Sequence, residues 1–94
     1  MSSLKVVWTS QFKKDYKVAM KSHLDMDLLD GIIKSLSDQA ELDPKYKDHP
    51  LSGNWKSFRE CHIKPDWLLI YKIEGDRLIL TLVRTGSHSN LFGK

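Results

Sequence analysis

The stretch Trp67-Leu68-Leu69-Ile70-Tyr71-Lys72-Ile73 is apolar at every position but one and lies between two turn-forming groups, Lys64-Pro65-Asp66 and Glu74-Gly75-Asp76. A short apolar run bounded in this way reads as a central strand, and a central strand needs a partner on each edge. The flanking text supplies both. Lys56 to Ile63 alternates, with Phe58, Glu60 and His62 on one face and Arg59, Cys61 and Ile63 on the other. Lys64-Pro65-Asp66-Trp67 is a turn with Pro65 at its second position, where the ring presets φ. Glu74-Gly75-Asp76 leads into a further strand, Arg77 to Arg84, which Gly86 ends. Leu4 to Trp8 is a fourth strand-forming segment at the start of the chain.

Between the first strand and the meander the period changes from two to 3.6. Thr9-Ser10 offers hydroxyls to the free amides of a helix over about Ser10 to Ser22, with Phe12, Tyr16, Ala19 and Met20 on its apolar side. Lys13, Lys14, Lys17 and Lys21 occupy the rest, and His23 falls at its end. Asp25 or Asp27 starts a second helix reaching Gln39 or Ala40, with Leu28, Leu29, Ile32, Ile33 and Leu36 as its buried stripe. From Glu41 to Asn54, Pro44, Pro50 and Gly53 mark a long loop, the kind of segment that carries function in small domains. The order is β-α-α-β-β-β. It predicts an α+β fold, a single domain over 1-94, with two helices packed on one face of a mainly antiparallel four-stranded sheet and the other face free.

Ninety-four residues suffice for one core and not for two. No apolar run approaches the roughly 18 residues of a membrane span, and Met1-Ser2-Ser3-Leu4 has no signal-peptide core, so a cytoplasmic protein without membrane association is expected. Cys61 is the only cysteine, which excludes an internal disulfide and any CxxC framework and leaves it as a small strand residue. A net charge of +3 permits a polyanionic partner without requiring one.

Three of the four histidines fall where loops and strand ends meet: His49 in the long loop, His62 at the end of a strand, His88 beyond the last. Asp66 stands across the tight turn from His62. Imidazole exchanges protons near neutral pH, so this concentration points to acid-base chemistry. If the groups converge, RNA cleavage suits them especially well. The substrate brings its own nucleophile, the ribose 2′-hydroxyl, and the protein need only take that proton, steady the phosphate and protonate the leaving 5′-oxygen, giving a 2′,3′-cyclic phosphate. Arg84, and less directly Lys56 or Arg59, are candidates to hold phosphate oxygens; Trp67 and Phe92 are candidates to stack on a base. Plainer roles stand beside these: Asp66 as a turn former, Trp67 and Phe92 as packing residues, Arg84 in an ion pair with Glu60 or an aspartate. Zinc is the rival occupant, but no H-x-x-x-H pair or finger spacing is present and the neighbours are basic, so no metal and no cofactor is expected.

Several motifs occur in fixed order: Tyr46-Lys47-Asp48-His49-Pro50-Leu51, Gly53-Asn54-Trp55-Lys56, Arg59-Glu60-Cys61-His62-Ile63-Lys64-Pro65-Asp66-Trp67-Leu68-Leu69-Ile70-Tyr71, Arg84-Thr85-Gly86-Ser87-His88 and Leu91-Phe92-Gly93. In these the chain resembles the YafQ-type toxins of the RelE/ParE superfamily, from bacterial type II toxin-antitoxin systems; Lys94 extends it one residue past the usual ending. The resemblance implies a RelE-like fold and a ribosome-dependent endoribonuclease that cuts mRNA in the A site. It also implies a cognate antitoxin, expected to be acidic, with a DNA-binding N-terminal half through which the complex binds operator DNA. It makes His49, His62, Asp66 and His88 the catalytic set and Trp67 and Phe92 active-site aromatics. His88 is then the general acid, His62 with Asp66 handles the 2′-hydroxyl proton, and His49 assists. The alternative is a non-catalytic interaction module of the same fold, such as a gyrase poison or an inactive relative.

Overall fold

The expected central strand, β4 (Trp67–Glu74), is the third of five in a sheet of order β1-β5-β4-β3-β2. These elements come from a computed structural model that describes residues 3–93; Met1, Ser2 and the extension Lys94 lie outside the described residues. Antiparallel partners flank β4 on both sides, β3 (Arg59–Lys64) and β5 (Ile79–Gly86). At one margin β1 (Lys5–Trp8) runs parallel to β5, from Lys5 opposite Ile79 to Trp8 opposite Leu82. At the other, β2 (His49–Pro50) pairs antiparallel with the start of β3, setting His49 opposite Glu60. The sheet is therefore five-stranded where four strands were expected. The extra strand is two residues long, too short to show alternation in sequence, and exists because β3 offers it a free ladder edge.

Helices α1 (Ser10–Lys21) and α2 (Met26–Ser37) cover one face. Thr9 starts α1 as anticipated. Its hydroxyl accepts from the Phe12 amide at 3.0 Å and lies 3.1 Å from both the Leu82 and Val83 carbonyls, so one side chain caps the helix and ties it to β5. Asp25 precedes α2 without a side-chain cap bond. Beneath the helices Phe12, Ala19, Leu29, Ile32 and Leu36 pack on Cys61, Trp67, Leu69, Tyr71, Leu80 and Leu82. Each fully buried large side chain contributes about 1.5–3 kcal/mol. Met20, assigned to the apolar side of α1, is instead exposed.

The opposite face is not free. Leu68 and Ile70 point away from the helices and are covered by α3 (His88–Phe92), through Leu91 and Phe92, and by Leu51, Trp55, Phe58 and Val83. A strand apolar on both parities thus has a core on each side, and five residues of helix plus a loop supply the second one. Ser87 caps α3 through its hydroxyl, which accepts from the Asn90 amide at 3.2 Å. Gly86, at φ 156°, makes the bend between β5 and α3; a Cβ there would meet the Asn90 Cβ and a Leu91 methyl at 3.4 Å. The strand predicted from Lys56 begins at Arg59, because Gly53–Trp55 forms a 3₁₀ turn first, and the one predicted from Arg77 begins at Ile79.

Candidate active site

The β4–β5 register decides what meets at the end of the sheet. Leu68 lies opposite Gly86, so the turn carrying Asp66 sits beside the bend that leads into α3. His88 Nδ1 is 3.0 Å from Asp66 Oδ1, and the His88 backbone amide donates to the same oxygen at 3.1 Å. On β3, Glu60 and His62 are two residues apart and share a face, and β2 brings His49 across from Glu60. Glu60 Oε1 lies 3.4 Å from Nε2 of His49 and 3.4 Å from Nε2 of His62. The rings form a row, with centroids 6.1 Å apart for His49 and His62, 5.8 Å for His62 and His88, and 6.5 Å for His88 and Phe92. Trp55 continues it, edge-on to Phe92 at 5.9 Å and to Phe58 at 5.6 Å. Three imidazoles separated by up to 39 positions in the chain thus line one surface.

Burial grades along this surface. Glu60 is 5% exposed, whereas the side chain of His88 is 48% exposed. The hydrogen bond from the His88 side chain, then that from its backbone amide, holds the Asp66 carboxyl below the usual carboxylate range. A depressed folded pKa stabilises the fold above the unfolded value and loses that effect as pH falls through the folded one. For a carboxylate as open as this one, the effect acts mainly on the pairing with His88.

His49 is oriented from behind. Its Nδ1 lies 2.6 Å from the Lys47 carbonyl, which makes Nδ1 the protonated nitrogen and turns Nε2 toward Glu60. Asp48, next in the chain, accepts from the buried Tyr71 hydroxyl and from Arg59, whose Nε and Nη2 lie at 3.4 and 3.3 Å. Burial, then the Asp48 carboxylate, pushes the Tyr71 hydroxyl well above its ordinary pKa, so it stays a donor. Tyr71→Phe is expected to cost about 1.5–3 kcal/mol in urea unfolding, the value of a hydrogen bond to a charged acceptor. Cys61 lies under the sheet with its thiol pushed up to about 12 by burial, which leaves it protonated and inert.

Several expectations are corrected by these positions. Asp66 pairs with His88 and not with His62, and the carboxylate beside His62 is Glu60, considered from sequence only as a strand residue and a possible partner for Arg84. Trp67 is 4% exposed and sits under the helices, its Nε1–H donating to the Thr85 hydroxyl at 3.0 Å, so no base can stack on it. Arg84 is engaged by Asp15 of α1, with Nε to Oδ2 at 2.7 Å; the Thr85 amide donates to the same oxygen at 3.1 Å, so this guanidinium locks a helix to the sheet. Arg59 lies on the helix side with Asp48, turned away from His62. Lys56 is exposed after the 3₁₀ turn, with no bond to the histidine row among the described residues. Phe92 remains beside His88, half-buried. Trp55 and Glu60 were missed as site residues; the signal for Glu60 was its parity with His62.

His49, Glu60 and His62 also place one ligand atom each within 4.8 Å of one another. Two imidazoles and a carboxylate suit zinc or copper, and a ring nitrogen bonded to a backbone carbonyl, as in His49, is the usual second-layer support of a metal-binding histidine. Motif spacing conceals this trio because one ligand arrives by strand pairing.

The chain is thus a β-α-α-β-β-β-β-α domain whose sheet end gathers histidines and carboxylates on an exposed surface. Residues 4–93 match the family described as "Bacterial toxin of type II toxin-antitoxin system, YafQ", and the chain belongs to that family. It is 45% identical over 89 residues, 94% of this chain and 95% of the relative, to the mRNA interferase toxin YafQ of Escherichia coli K12. The crystal structure of the E. coli DinJ-YafQ toxin-antitoxin complex superposes with a TM-score of 0.88 at 41% identity, covering 97% of this chain and 99% of that one. A metal-bound toxin from Helicobacter pylori superposes with a TM-score of 0.89 at 48% identity, covering 95% and 99%.

Proposed function

We propose that this chain is the toxin of a type II toxin-antitoxin pair, an endoribonuclease that cuts mRNA in the ribosomal A site and is neutralised by a cognate antitoxin. The observation that carries the chemistry is the 5.8 Å approach of the His62 and His88 rings on an open surface, each with its own carboxylate. The names of the E. coli relatives support the substrate class, and the DinJ-YafQ complex supports the antitoxin. By the resemblance given above, the antitoxin carries the DNA-binding half.

In this reading the scissile phosphate lies between the two rings. The His49–Glu60–His62 group takes the proton of the 2′-hydroxyl, which attacks the adjacent phosphorus. His88, held by Asp66 through Nδ1, presents Nε2–H to the departing 5′-oxygen. The P–O5′ bond breaks as the new P–O2′ bond forms, leaving a 2′,3′-cyclic phosphate and a 5′-hydroxyl. Phe92 and Trp55 supply half-buried aromatic edges beside His88 for an unstacked base.

Purified ribosomes programmed with a defined message test this directly. Cuts are expected within the A-site codon and at no position when ribosomes are omitted. An unchanged cut pattern on free message would contradict ribosome dependence.

A second reading of part of this surface rests on the His49–Glu60–His62 trio: a soft divalent ion held there ties up the imidazole lone pairs and switches cleavage off. That a similar Helicobacter toxin is described as metal-bound supports metal binding by this fold. Micromolar copper or zinc is expected to inhibit cleavage reversibly, with chelator restoring it, and Glu60→Gln to raise the required concentration by roughly tenfold or more. Stimulation by metal would reverse this assignment and make the ion part of the catalyst.

A further inference from the structure

A cavity of about 400 Å³ opens beside His62, between the 3₁₀ turn Pro44–Tyr46, the start of α2 and the end of β3. Its floor is apolar, with Leu28, Tyr46 and Ile63, and its rim carries Lys45, Lys47 and Lys64. All three lysines are exposed, and among the described residues none has an acidic side chain within ion-pair distance. The two arginines near the site are committed, Arg59 to Asp48 and Arg84 to Asp15, while Lys72 stands over the Phe58 ring and Lys56 follows Trp55, at the far end of the aromatic row from His49. On the His62 side of the row, the positive charge without an acidic partner is concentrated on this rim.

We infer that this cavity seats the phosphodiester next to the one that is cut, with the three lysines as its counterions and the apolar floor beneath the attached nucleoside. The inference rests on the nuclease reading and deepens it by naming where the flanking nucleotide goes. His62 is the shared wall: it faces the row of imidazoles and also lines the cavity, so a strand of message with its reacting phosphate at His62 and His88 enters the cavity with the next linkage. A nucleic acid offers a phosphate at every step of that path, and lysines without acidic partners bind it without sequence preference. Lys47 has a second tie to the chemistry, since its carbonyl orients the His49 ring while its side chain stands on the rim.

The test is a cycle between protein charge and message charge. Single-turnover cleavage is measured on ribosomes carrying a defined message, either unmodified or with one neutral methylphosphonate at the linkage on either side of the cut. For the wild type, neutralising one of those two linkages is expected to raise the toxin concentration for half-maximal rate roughly tenfold. The Lys47→Gln/Lys64→Gln double variant should show that loss on the unmodified message, no further loss on the neutralised one, and a salt dependence shallower by about 0.7 per contact removed. Its urea midpoint and antitoxin affinity should match the wild type. Losses that multiply, or a double variant that cleaves as the wild type does, would overturn the inference, and full cleavage with weakened antitoxin binding would assign the cavity to the antitoxin. A wild type that cuts no unmodified message would remove the nuclease reading and this inference with it.

Discussion

Replacing His88 with alanine is expected to slow single-turnover cleavage on the ribosome by roughly 10²–10⁴-fold, the usual contribution of a positioned general acid. The fold should be unaffected. The side chain is half exposed, α3 keeps its cap from Ser87, and the backbone amide at this position still donates to Asp66. His88→Ala should therefore match the wild type in urea unfolding and in antitoxin affinity while losing toxicity on expression. Unchanged growth arrest in a folded His88→Ala variant would favour the alternative in which the fold acts by binding alone.

Trp67→Ala is expected to cost about 3–5 kcal/mol, the range for emptying a large aromatic site in a core. That is a large part of the roughly 5–15 kcal/mol available to a domain of this kind. The indole is 4% exposed, and its N–H donates to Thr85, whose hydroxyl in turn donates to the Leu68 carbonyl at 2.7 Å. Trp67→Phe separates packing from chemistry. It keeps most of the volume and leaves the Thr85–Leu68 bond in place, so cleavage by folded Trp67→Phe should stay within a few-fold of wild type. A Trp67→Phe variant with wild-type stability and a hundredfold weaker hold on message would instead restore the stacking role.

Local patterning carried the architecture well because its signals are local. The apolar run at β4, the 3.6-residue period of the helices and the Pro65-Asp66 turn each specify their own segment. The gathering of His49, His62 and His88 was posed as a condition of the chemistry, and strand pairing meets it, with β2 setting His49 beside β3 and the β4–β5 register setting His88 beside the turn after β3. What sequence did not disclose depends on registers between distant strands. Asp66 meets His88 because Leu68 falls opposite Gly86, and Glu60 meets His49 because a two-residue strand adds to β3. Arg84 turns to Asp15 next to a register shift in the β4–β5 ladder. The third helix is five residues long, too short for periodicity to reveal, yet it closes the second core and presents His88. Trp67 shares the face of Leu69 and Tyr71, and that face lies under the helices, which favours the plainer packing role over stacking.

The most direct measurement of the central claim uses a message with a single 2′-deoxynucleotide immediately upstream of the mapped cut. If imidazoles at the sheet end work on a nucleophile supplied by the ribose, cleavage there falls to background while the unmodified message gives a 2′,3′-cyclic phosphate end. Cutting at the deoxynucleotide at a comparable rate would mean that water is the attacking group, and the account of His62, His88 and their carboxylates would be wrong.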